Sequence, residues 1–366
     1  MNPSCQFNDK LFIFMSTSGD ASCCHSGMDA ESQLDPMRDF LISVGEAVCD
    51  VAQAMLRRED VEQRTRIRFH HDSDVIYAID VEAEEVIVRM LEENAARFGG
   101  IVLVAEGIGK TGETVYPRGS SPEQAQWRVL LDPIDGTRGL MYDKRSAFFL
   151  AGAAPNRGIG TRLRDIEVSV MVEISTSRMH VSDVLSAVRG GGAQAYRRNL
   201  LDNSREPFRP QPSRHTTIRG GFAQISRFFP SGKELMARIE EELIARLFPD
   251  APDGEVLTFE DQYIASGGQL YELLTGKDRF IADIRPAVFQ QLHGSVRPTL
   301  TCHPYDLAAH LIGEECGLIL TGLDGKPLDG PMDTLTPMGW VGYANREIHS
   351  EVGPVFMELL QIHGLA

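Results

Sequence analysis

The segment that decides the fold runs from Trp127 to Gly152 and reads WRVLLDPIDGTRGLMYDKRSAFFLAG. Its apolar first part predicts a buried strand that leads directly into two carboxylates, Asp132 and Asp135. The proline between the two aspartates fixes one backbone dihedral and removes an amide donor, and the glycine after them permits close backbone approach. The segment therefore predicts a strand that ends in a stiff turn built to aim two acidic side chains.

The spacing of the two aspartates indicates a metal site beside an anion site. Two carboxylates held this close repel each other unless a cation lies between them. Mg²⁺ prefers carboxylate and carbonyl oxygens, which Asp132, Asp135 and the carbonyl of Ile134 supply from one turn. The backbone amides of Gly136 and Thr137 follow a tight turn, where they can hold an anion. This pairing predicts hydrolysis of a phosphate monoester, in which one metal ion activates water and another stabilises the leaving oxygen.

Three further acids follow strands or begin helices in the pattern of the sequence: Asp80, Glu106 and Asp306. Each also has a purely structural explanation. Asp80 could cap its helix, Asp306 could be a first-turn acid favoured by the helix dipole, and Glu106 could be an ordinary surface residue. The hypothesis that gives them a joint role is that these distant acids converge in space on the turn at residues 132–135.

Four segments, in chain order, resemble the inositol monophosphatase family, part of the Mg²⁺-dependent, lithium-inhibited sugar-phosphatase superfamily. LLDPIDGT (130–137) is similar to the signature of the family, and SDVIYAID (73–80) resembles its D-x-V-T-x-x-D segment. VLVAEG (102–107) resembles the strand that ends in the family's Glu-Glu pair, and HPYDLAAHLIGEECGLIL (303–320) resembles its W-D-x-A-A helix with the glycine and strand that follow. The resemblance that these segments carry extends over roughly residues 37 to 345.

The resemblance implies a fold and a role for each matched residue. The fold would be an α+β protein layered as an α-β-α-β-α sandwich, with two lobes and the site between them. Two or three Mg²⁺ ions would be bound by Glu106, Asp132, the carbonyl of Ile134, Asp135 and Asp306. Thr137, with Asp80 behind it, would orient the attacking water and help to deprotonate it, and the amides of Gly136 and Thr137 would hold the phosphate. The resemblance also implies a possible homodimer.

The chain departs from the family pattern at three positions. Gly107 stands in place of the second glutamate of the pair, which bears on the support of Glu106 and on lithium sensitivity. Tyr305 stands where the family has tryptophan, and Tyr77 where it often has threonine. Because of Gly107, a catalytically silent protein that only binds metal or ligand is an alternative of another class.

The sequence leaves the substrate open. An inositol monophosphate or a related sugar or polyol phosphate is the main prediction, and a 3'(2'),5'-bisphosphate nucleotidase is the alternative, since DGTRGL resembles that branch's D-G-T-K-G-F variant. Arg138, Lys144 and Arg145 could bind a second phosphate, or the last two could simply face solvent. Residues 267–269 (Gly-Gly-Gln) could contact a polyol or begin a buried helix.

Two rival motifs are not supported. EGIGKTGET (106–114) is not a Walker P-loop, because the glycine required five positions before Gly109 is Val104. A zinc site is not indicated either: the ten histidines include no HExxH, and His303 and His310 are seven residues apart.

Composition limits the partners and the compartment. The formal net charge of −16 argues against nucleic-acid polymers and anionic membranes, because both require basic surfaces. A small phosphorylated substrate fits this charge if bound cations supply local positive charge. The sequence has no run of about 18 apolar residues that would predict a membrane span. Six cysteines without a CxxC pair favour a reducing, cytoplasmic location.

The pattern of hydrophobic residues predicts a tail and two lobes. Residues 1–33 are expected to be a poorly ordered tail, residues 34–210 an α+β lobe with most of the metal ligands, and residues 211–366 an α/β lobe that supplies Asp306 and the substrate wall. Helices are predicted at 36–58, 81–97, 233–247, 269–274 and 305–316. Strands are predicted at 101–105, before Asp132, and at 147–153, 167–174 and 178–181.

Overall fold

A computed structural model describes residues 34–58, 60–65, 67–70, 75–106, 112–294 and 301–366. The α-helices of these residues are α1 (Leu34–Arg58), α2 (Val61–Arg64), α3 (Ala78–Asn94), α4 (Thr137–Met141), α5 (Lys233–Leu247), α6 (Ser266–Leu274), α7 (Arg285–His293), α8 (His310–Cys316) and α9 (Arg346–Ile362). Among them, none combines the length and the apolar character that a bilayer crossing needs.

The strands form two large sheets and a small hairpin. The hairpin pairs β1 (Ile67–His70) with β2 (Val75–Tyr77). The first sheet contains β3 (Ile101–Ala105), β4 (Glu113–Tyr116), β5 (Trp127–Asp135), β6 (Ala147–Pro155), β7 (Val168–Ile174), β8 (Val181–Val188), β9 (Gly192–Asn199) and β10 (Arg205–Phe208). The second contains β11 (Gly221–Ile225), β12 (Thr258–Phe259), β13 (Asp278–Asp283), β14 (Ile319–Gly322) and β15 (Trp340–Tyr343).

The first sheet has the strand order β10-β9-β8-β7-β6-β5-β3-β4. Its strands run antiparallel to their neighbours except for β3 and β5, which are parallel. Because β3 and β5 are parallel, both strands end at the same edge of the sheet. Ala105 pairs with Leu131, so the next residues along each strand, Glu106 and Asp132, are neighbours. The sheet therefore brings together three of the acids that the sequence singled out.

A register shift between β5 and β6 sets the direction of the two aspartates. Asp132 pairs with Leu150 and Asp135 with Phe148. The step between the two pairs is three residues in β5 but only two in β6, so β5 contains one extra residue. In a regular strand, residues three apart point to opposite faces, but the extra residue of a bulge restores them to one face. Leu150 and Phe148 belong to the core between the two sheets, so the aspartates face that layer.

The helices and sheets form five layers, which pack around three hydrophobic cores. Helices α1 and α3 pack on one face of the first sheet, with Val44 and Ile87 in that core. Helices α6 and α8 lie between the two sheets, and helices α5, α7 and α9 cover the outer face of the second sheet, whose strand order is β12-β11-β13-β15-β14. The order is therefore α-β-α-β-α, and the fold class predicted from the sequence is confirmed.

The segment that carries Asp306 lies against the first sheet without a gap. A one-turn 3₁₀ helix, Pro304–Leu307, comes directly before α8. The hydroxyl of Ser169 in β7 donates a 2.8 Å hydrogen bond to the carbonyl of Ala308. A Cβ at Gly152 in β6 would lie 2.6 Å from that same carbonyl oxygen, so only glycine permits this approach.

The structure confirms most predicted elements and corrects some boundaries. The helices expected at 36–58 and 233–247 are present as α1 and α5. Helix α3 begins at Ala78 rather than at residue 81, because the chain enters it directly from β2, so Asp80 lies in its first turn and is not its cap. The helix expected at 305–316 is divided into the 3₁₀ turn and α8, and the strand expected at 178–181 begins only at Val181.

Candidate active site

The turn after β5 is held by its own hydrogen bonds. The amide of Ile134 donates to a carboxylate oxygen of Asp132 at 2.9 Å, and the hydroxyl of Thr137 lies 2.7 Å from the carbonyl oxygen of Ile134. Gly136 has a φ of +93°, a left-handed conformation that favours glycine, and it comes directly before α4. The local sequence therefore fixes the position of both aspartates before any distant residue contributes.

Three carboxylates from two halves of the chain meet at this turn. Oxygen atoms of Asp132, Asp135 and Asp306 all lie within 4.8 Å of one another, and all three residues are buried. Burial and the negative charge of the neighbouring acids raise the pKa of Asp132 and of Asp306 well above the ordinary value, and burial raises the pKa of Asp135 to about 7. Such a cluster is stable when protons or a cation offset the repulsion.

Backbone amides orient two of these carboxylates. The amide of Gly267 in α6 donates to a carboxylate oxygen of Asp135, and the amide of His303 donates to Asp306 at 2.6 Å. Hydrogen bonds to the ionised form lower a carboxyl pKa, so both contacts oppose part of the effect of burial. The side chains are therefore held by donors that do not neutralise their charge.

Glu106 lies close enough to join the cluster electrostatically. Its negative charge contributes to the raised pKa of Asp132 and of Asp135. It also hydrogen bonds with the hydroxyl of Tyr305, whose pKa is raised by burial first and then by the surrounding acids. The imidazole of His303 stacks on the Tyr305 ring, with centroids 5.3 Å apart and an interplanar angle of 4°. Tyr305 therefore contacts Glu106 through its hydroxyl and packs on His303, whose amide holds Asp306.

Thr137 and Asp80 lie side by side, as the sequence predicts. The Thr137 hydroxyl is 3.4 Å from a carboxylate oxygen of Asp80, but only 2.7 Å from the carbonyl of Ile134. A hydroxyl has one proton to donate, and the shorter distance favours the carbonyl. The carboxylate of Asp80 therefore lies behind Thr137 as the more distant of two acceptors for this hydroxyl.

One charged residue beside the cluster was not found by sequence analysis. Arg285 is 4% exposed and donates to both carboxylate oxygens of Asp283, at 2.8 and 2.6 Å. Its guanidinium also lies 4.5 Å from the ring centroid of Phe228. Its positive charge lowers the pKa of Asp135 and of Asp306 against the effect of burial. No sequence motif marks this arginine, because its partner and its aromatic neighbour come from separate strand ends.

Of the two alternatives for residues 267–269, the structure shows the buried helix. The side chain of Gln269 is 1% exposed and donates to Ser226 and to the carbonyl of Tyr263, so it packs inside the protein and offers no contact to a ligand. The amide of Gly267 donates a hydrogen bond to Asp135 and does not face an open cavity. His310 is fully buried, as expected for a structural histidine, while Arg138 is exposed on α4.

Some predicted positions lie outside the described residues. They are Asp74 of the SDVIYAID segment, Gly107, and the tail at residues 1–33. Of Tyr77, only the backbone is described, as part of β2.

The donor set fits a hard divalent cation. Mg²⁺ takes carboxylate and carbonyl oxygens, and the cluster supplies three buried carboxylates within 4.8 Å of one another. The raised pKa values give the same indication, since a cation would replace the protons that such close acids otherwise retain. No nitrogen or sulfur ligand belongs to this group among the described residues, which argues for a hard ion rather than zinc.

The fold can be compared with that of solved structures. An inositol monophosphatase of Thermotoga maritima superposes with a TM-score of 0.57 at 17% sequence identity, over 90% of this chain and 99% of that chain. Fructose-1,6-bisphosphatase of Leishmania major, in its holo form, superposes with a TM-score of 0.62 at 13% identity, over 90% and 96% of the two chains. The chain has the inositol monophosphatase fold. The resemblance that the four motifs indicate is thus confirmed at the level of the fold.

Another inositol monophosphatase, from Anabaena (Nostoc), superposes with a TM-score of 0.57 at 15% identity, over 89% of this chain and 97% of that chain. At the level of sequence alone, no protein-family model and no curated protein matches the chain. The likeness therefore concerns the inositol monophosphatase fold, and the chemistry must be argued from the residues of the site.

Proposed function

We propose that the protein is a Mg²⁺-dependent phosphatase that hydrolyses a small phosphate monoester, such as an inositol monophosphate or a related sugar or polyol phosphate. The observation that carries the proposal is the convergence of Asp132, Asp135 and Asp306 within 4.8 Å at a buried turn. Solved proteins of the same fold, named as inositol monophosphatase and fructose-1,6-bisphosphatase, support the same class of reaction.

In this proposal, two or three Mg²⁺ ions are held by Glu106, Asp132, the carbonyl of Ile134, Asp135 and Asp306. Bound divalent ions supply a water of lowered pKa and neutralise the negative charge that develops on the phosphate and on the leaving oxygen. The requirement for such ions follows from the charge of the site, because an acidic cluster in a chain of net charge −16 would otherwise repel a phosphate ester.

The remaining residues of the site act on the water and the phosphate. Thr137 orients the attacking water through its hydroxyl, and Asp80 behind it accepts a proton from this pair. The backbone amides of Gly136 and Thr137 come at the start of α4, where amides lack intrahelical acceptors and can donate to phosphate oxygens. Arg138, exposed on the same helix, would reach an outer part of the substrate.

The test is phosphate release from a panel of substrates. Purified protein is assayed on inositol 1-phosphate, fructose 1,6-bisphosphate and adenosine 3',5'-bisphosphate with Mg²⁺, and again with EDTA. We expect turnover of at least one monoester, lost with EDTA and restored when Mg²⁺ is added in excess. Preference for the adenosine compound would favour the bisphosphate nucleotidase alternative. An absence of turnover on the whole panel, with Mg²⁺ bound, would support the catalytically silent alternative instead.

Three further expectations from the sequence stay predictions. They are the division into lobes at residue 210, the homodimer and the cytoplasmic location. A sedimentation experiment on the full chain distinguishes a monomer from a dimer, and it does so independently of the activity assay.

A further inference from the structure

A cavity lies beside the segment after α4, outside the acidic cluster. It has a volume of about 520 Å³ and lies among the segment after α4, the adjoining ends of β7, β8 and β9, and α6. Two tyrosines, Tyr263 and Tyr271, form part of its wall. None of the residues assigned to metal or water in the proposed function lines it.

The charge of this cavity differs from the charge of the whole chain. Five basic side chains line it: Lys144, Arg145, Arg178, Arg197 and Lys277. Only three carboxylates line it, so the lining carries an excess of two positive charges, in a chain with a net charge of −16. A concave basic surface on an acidic protein concentrates small anions from solution.

The carboxylates of the lining are already engaged. Asp183 accepts hydrogen bonds from Arg197 at 2.7 and 2.9 Å and one from the hydroxyl of Tyr271 at 2.8 Å. Glu173 accepts from the hydroxyl of Ser146 at 2.7 Å and from the amide of Asp183 at 3.2 Å. The third, Glu272, pairs with Lys277. These acids therefore do not compete for the remaining cations.

Two cations of the lining, Lys144 and Arg178, are not held in a close ion pair. The side chain of Lys144 is exposed, and no partner is found for its ammonium group among the described residues. Arg178 is 76% exposed on its side chain and reaches the Asp143 carbonyl only at 3.3 Å and its carboxylate only at 4.0 Å. The Asp143 carboxylate is itself satisfied by the amide and hydroxyl of Ser177, at 2.8 and 2.6 Å. Arg145 differs, since Asp261 and the ring of Tyr263 hold it.

Two contacts connect the wall of the cavity to the proposed active site. The hydroxyl of Tyr263 donates to the Ser146 carbonyl at 2.8 Å, which joins the segment before α6 to the segment after α4. Two residues later, the Cβ of Ala265 lies 3.0 Å from the position that a Cβ would take on Gly136. An anion bound in the cavity is therefore separated from the turn by one layer of residues.

We propose that this cavity is a second anion site, which binds a phosphate group through Lys144 and Arg178. The guanidinium of Arg178 and the ammonium of Lys144 donate charge-assisted hydrogen bonds to the phosphate oxygens. Tyr263 and Tyr271 line the space for the group attached to the phosphate. The phosphate comes either from the far end of a bisphosphate substrate or from a separate effector. Only the first of these sources rests on the proposed function.

The test measures phosphate binding by the full chain in EDTA, where the acidic cluster repels anions. Isothermal titration with inorganic phosphate is performed on the natural protein, on Lys144→Ala/Arg178→Ala, and on Lys233→Ala/Arg346→Ala, which removes two exposed cations elsewhere. We expect the first double variant to bind phosphate at least tenfold more weakly and the second to bind it as the natural protein does. Equal binding by all three proteins, or no binding by any, overturns the proposal.

Two further arms identify the source of the phosphate. A loss of kcat/KM in Lys144→Ala/Arg178→Ala that is confined to bisphosphates, with inositol 1-phosphate unaffected, assigns the site to the substrate. Unchanged kcat/KM on every substrate, together with weakened phosphate binding, assigns it to an effector. Because the binding experiment needs neither Mg²⁺ nor turnover, its result stands even if the natural protein releases no phosphate from any ester.

Discussion

The amide of Gly267 donates a hydrogen bond to the carboxylate of Asp135 and so joins α6 to the turn after β5. The two residues are 132 positions apart in the chain, yet no side chain separates them. A Cβ at residue 267 would lie 2.8 Å from that carboxylate oxygen and 2.8 Å from the Leu150 side chain. The smallest residue is therefore required for the acid to have its observed direction.

We predict that Gly267→Ala lowers kcat/KM by more than tenfold, because Asp135 must move to accommodate the methyl group. Overpacking of this kind costs about 1–3 kcal/mol of folding free energy. The measurement combines phosphate release with urea unfolding. The control is Gly160→Ala, where the nearest atom to a new Cβ is 3.5 Å away. Full activity in Gly267→Ala would show that the direction of Asp135 does not matter.

Asp132→Asn tests the metal ligands. The amide oxygen can still accept the hydrogen bond from Ile134, so the turn keeps its shape while one negative charge is lost. We expect turnover to fall by roughly two orders of magnitude or more and Mg²⁺ to bind more weakly. Asp253→Asn, the same change at an exposed position, serves as the control. Near-normal turnover of Asp132→Asn would contradict the assignment of this ligand.

The cluster predicts an unusual dependence of stability on pH. In the folded protein, the pKa of Asp135 is raised from 3.8 to about 7, and the pKa values of Asp132 and Asp306 are raised as well. Folding therefore favours the protonated acids, so their contribution to stability is present below pH 4 and is lost as the pH rises through about 7.

Mg²⁺ reverses this loss, because it binds the ionised acids and competes with protons. We expect the Mg²⁺-induced increase in Tm to be small at pH 5.5 and several degrees larger at pH 8. Scanning calorimetry at both pH values, with EDTA as the reference, measures it. Asp132→Asn should show a smaller difference between the two pH values, and an increase independent of pH would contradict the raised pKa values.

The close approach between β6 and the Asp306 segment gives a prediction for stability. A methyl group on Gly152 would lie 2.6 Å from the Ala308 carbonyl and 2.6 Å from the Ile166 side chain. We expect Gly152→Ala to cost about 1–3 kcal/mol and also to displace the segment that carries Asp306. Urea unfolding measures the first effect, and the affinity for Mg²⁺ measures the second. Lower stability with unchanged Mg²⁺ affinity would mean that the segment does not depend on this contact.

The buried ion pair beside the cluster is the subject of the last prediction. Asp283 is fully buried, and Arg285→Met would leave its charge without its bidentate partner. Removal of one member of such a pair typically costs roughly 3–5 kcal/mol. The double variant Arg285→Met/Asp283→Leu should recover most of that loss. If the single and double variants unfold at the same urea concentration, the pair contributes nothing specific.

The sequence was most informative where the contacts of the site join residues that are close together in the chain. The turn at residues 132–137 is held by hydrogen bonds between residues two or three apart, so its motif carries most of its geometry. Helices α1 and α5 were predictable for a similar reason, since both show helical periodicity over many turns. The layered α-β-α-β-α order was expected from the family resemblance. No local pattern decides between a structural role for Asp306 and its convergence on the turn, and the family resemblance was needed to assign it to the site.

Other features depend on tertiary contacts that no local pattern reveals. Gly267 and Arg285 become significant only when α6 and β13 are placed beside the turn. The helix expected at residues 305–316 is interrupted at Ala308, whose carbonyl accepts a hydrogen bond from the hydroxyl of Ser169 in β7. The sequence left Gln269 either at a ligand or in a buried helix, and only the tertiary contact with Ser226 inside the core decides for the helix.

The extra residue of β5 between Asp132 and Asp135 has an evolutionary implication. The sheet tolerates this irregularity, since pairing with β6 continues on both sides of it. Removal of a single codon at this point would leave a regular strand, with every layer of the protein still covered, but without the Ile134 carbonyl and with a different distance between the acids. A descendant could thus lose the proposed reaction in one mutational step and retain the fold for another purpose.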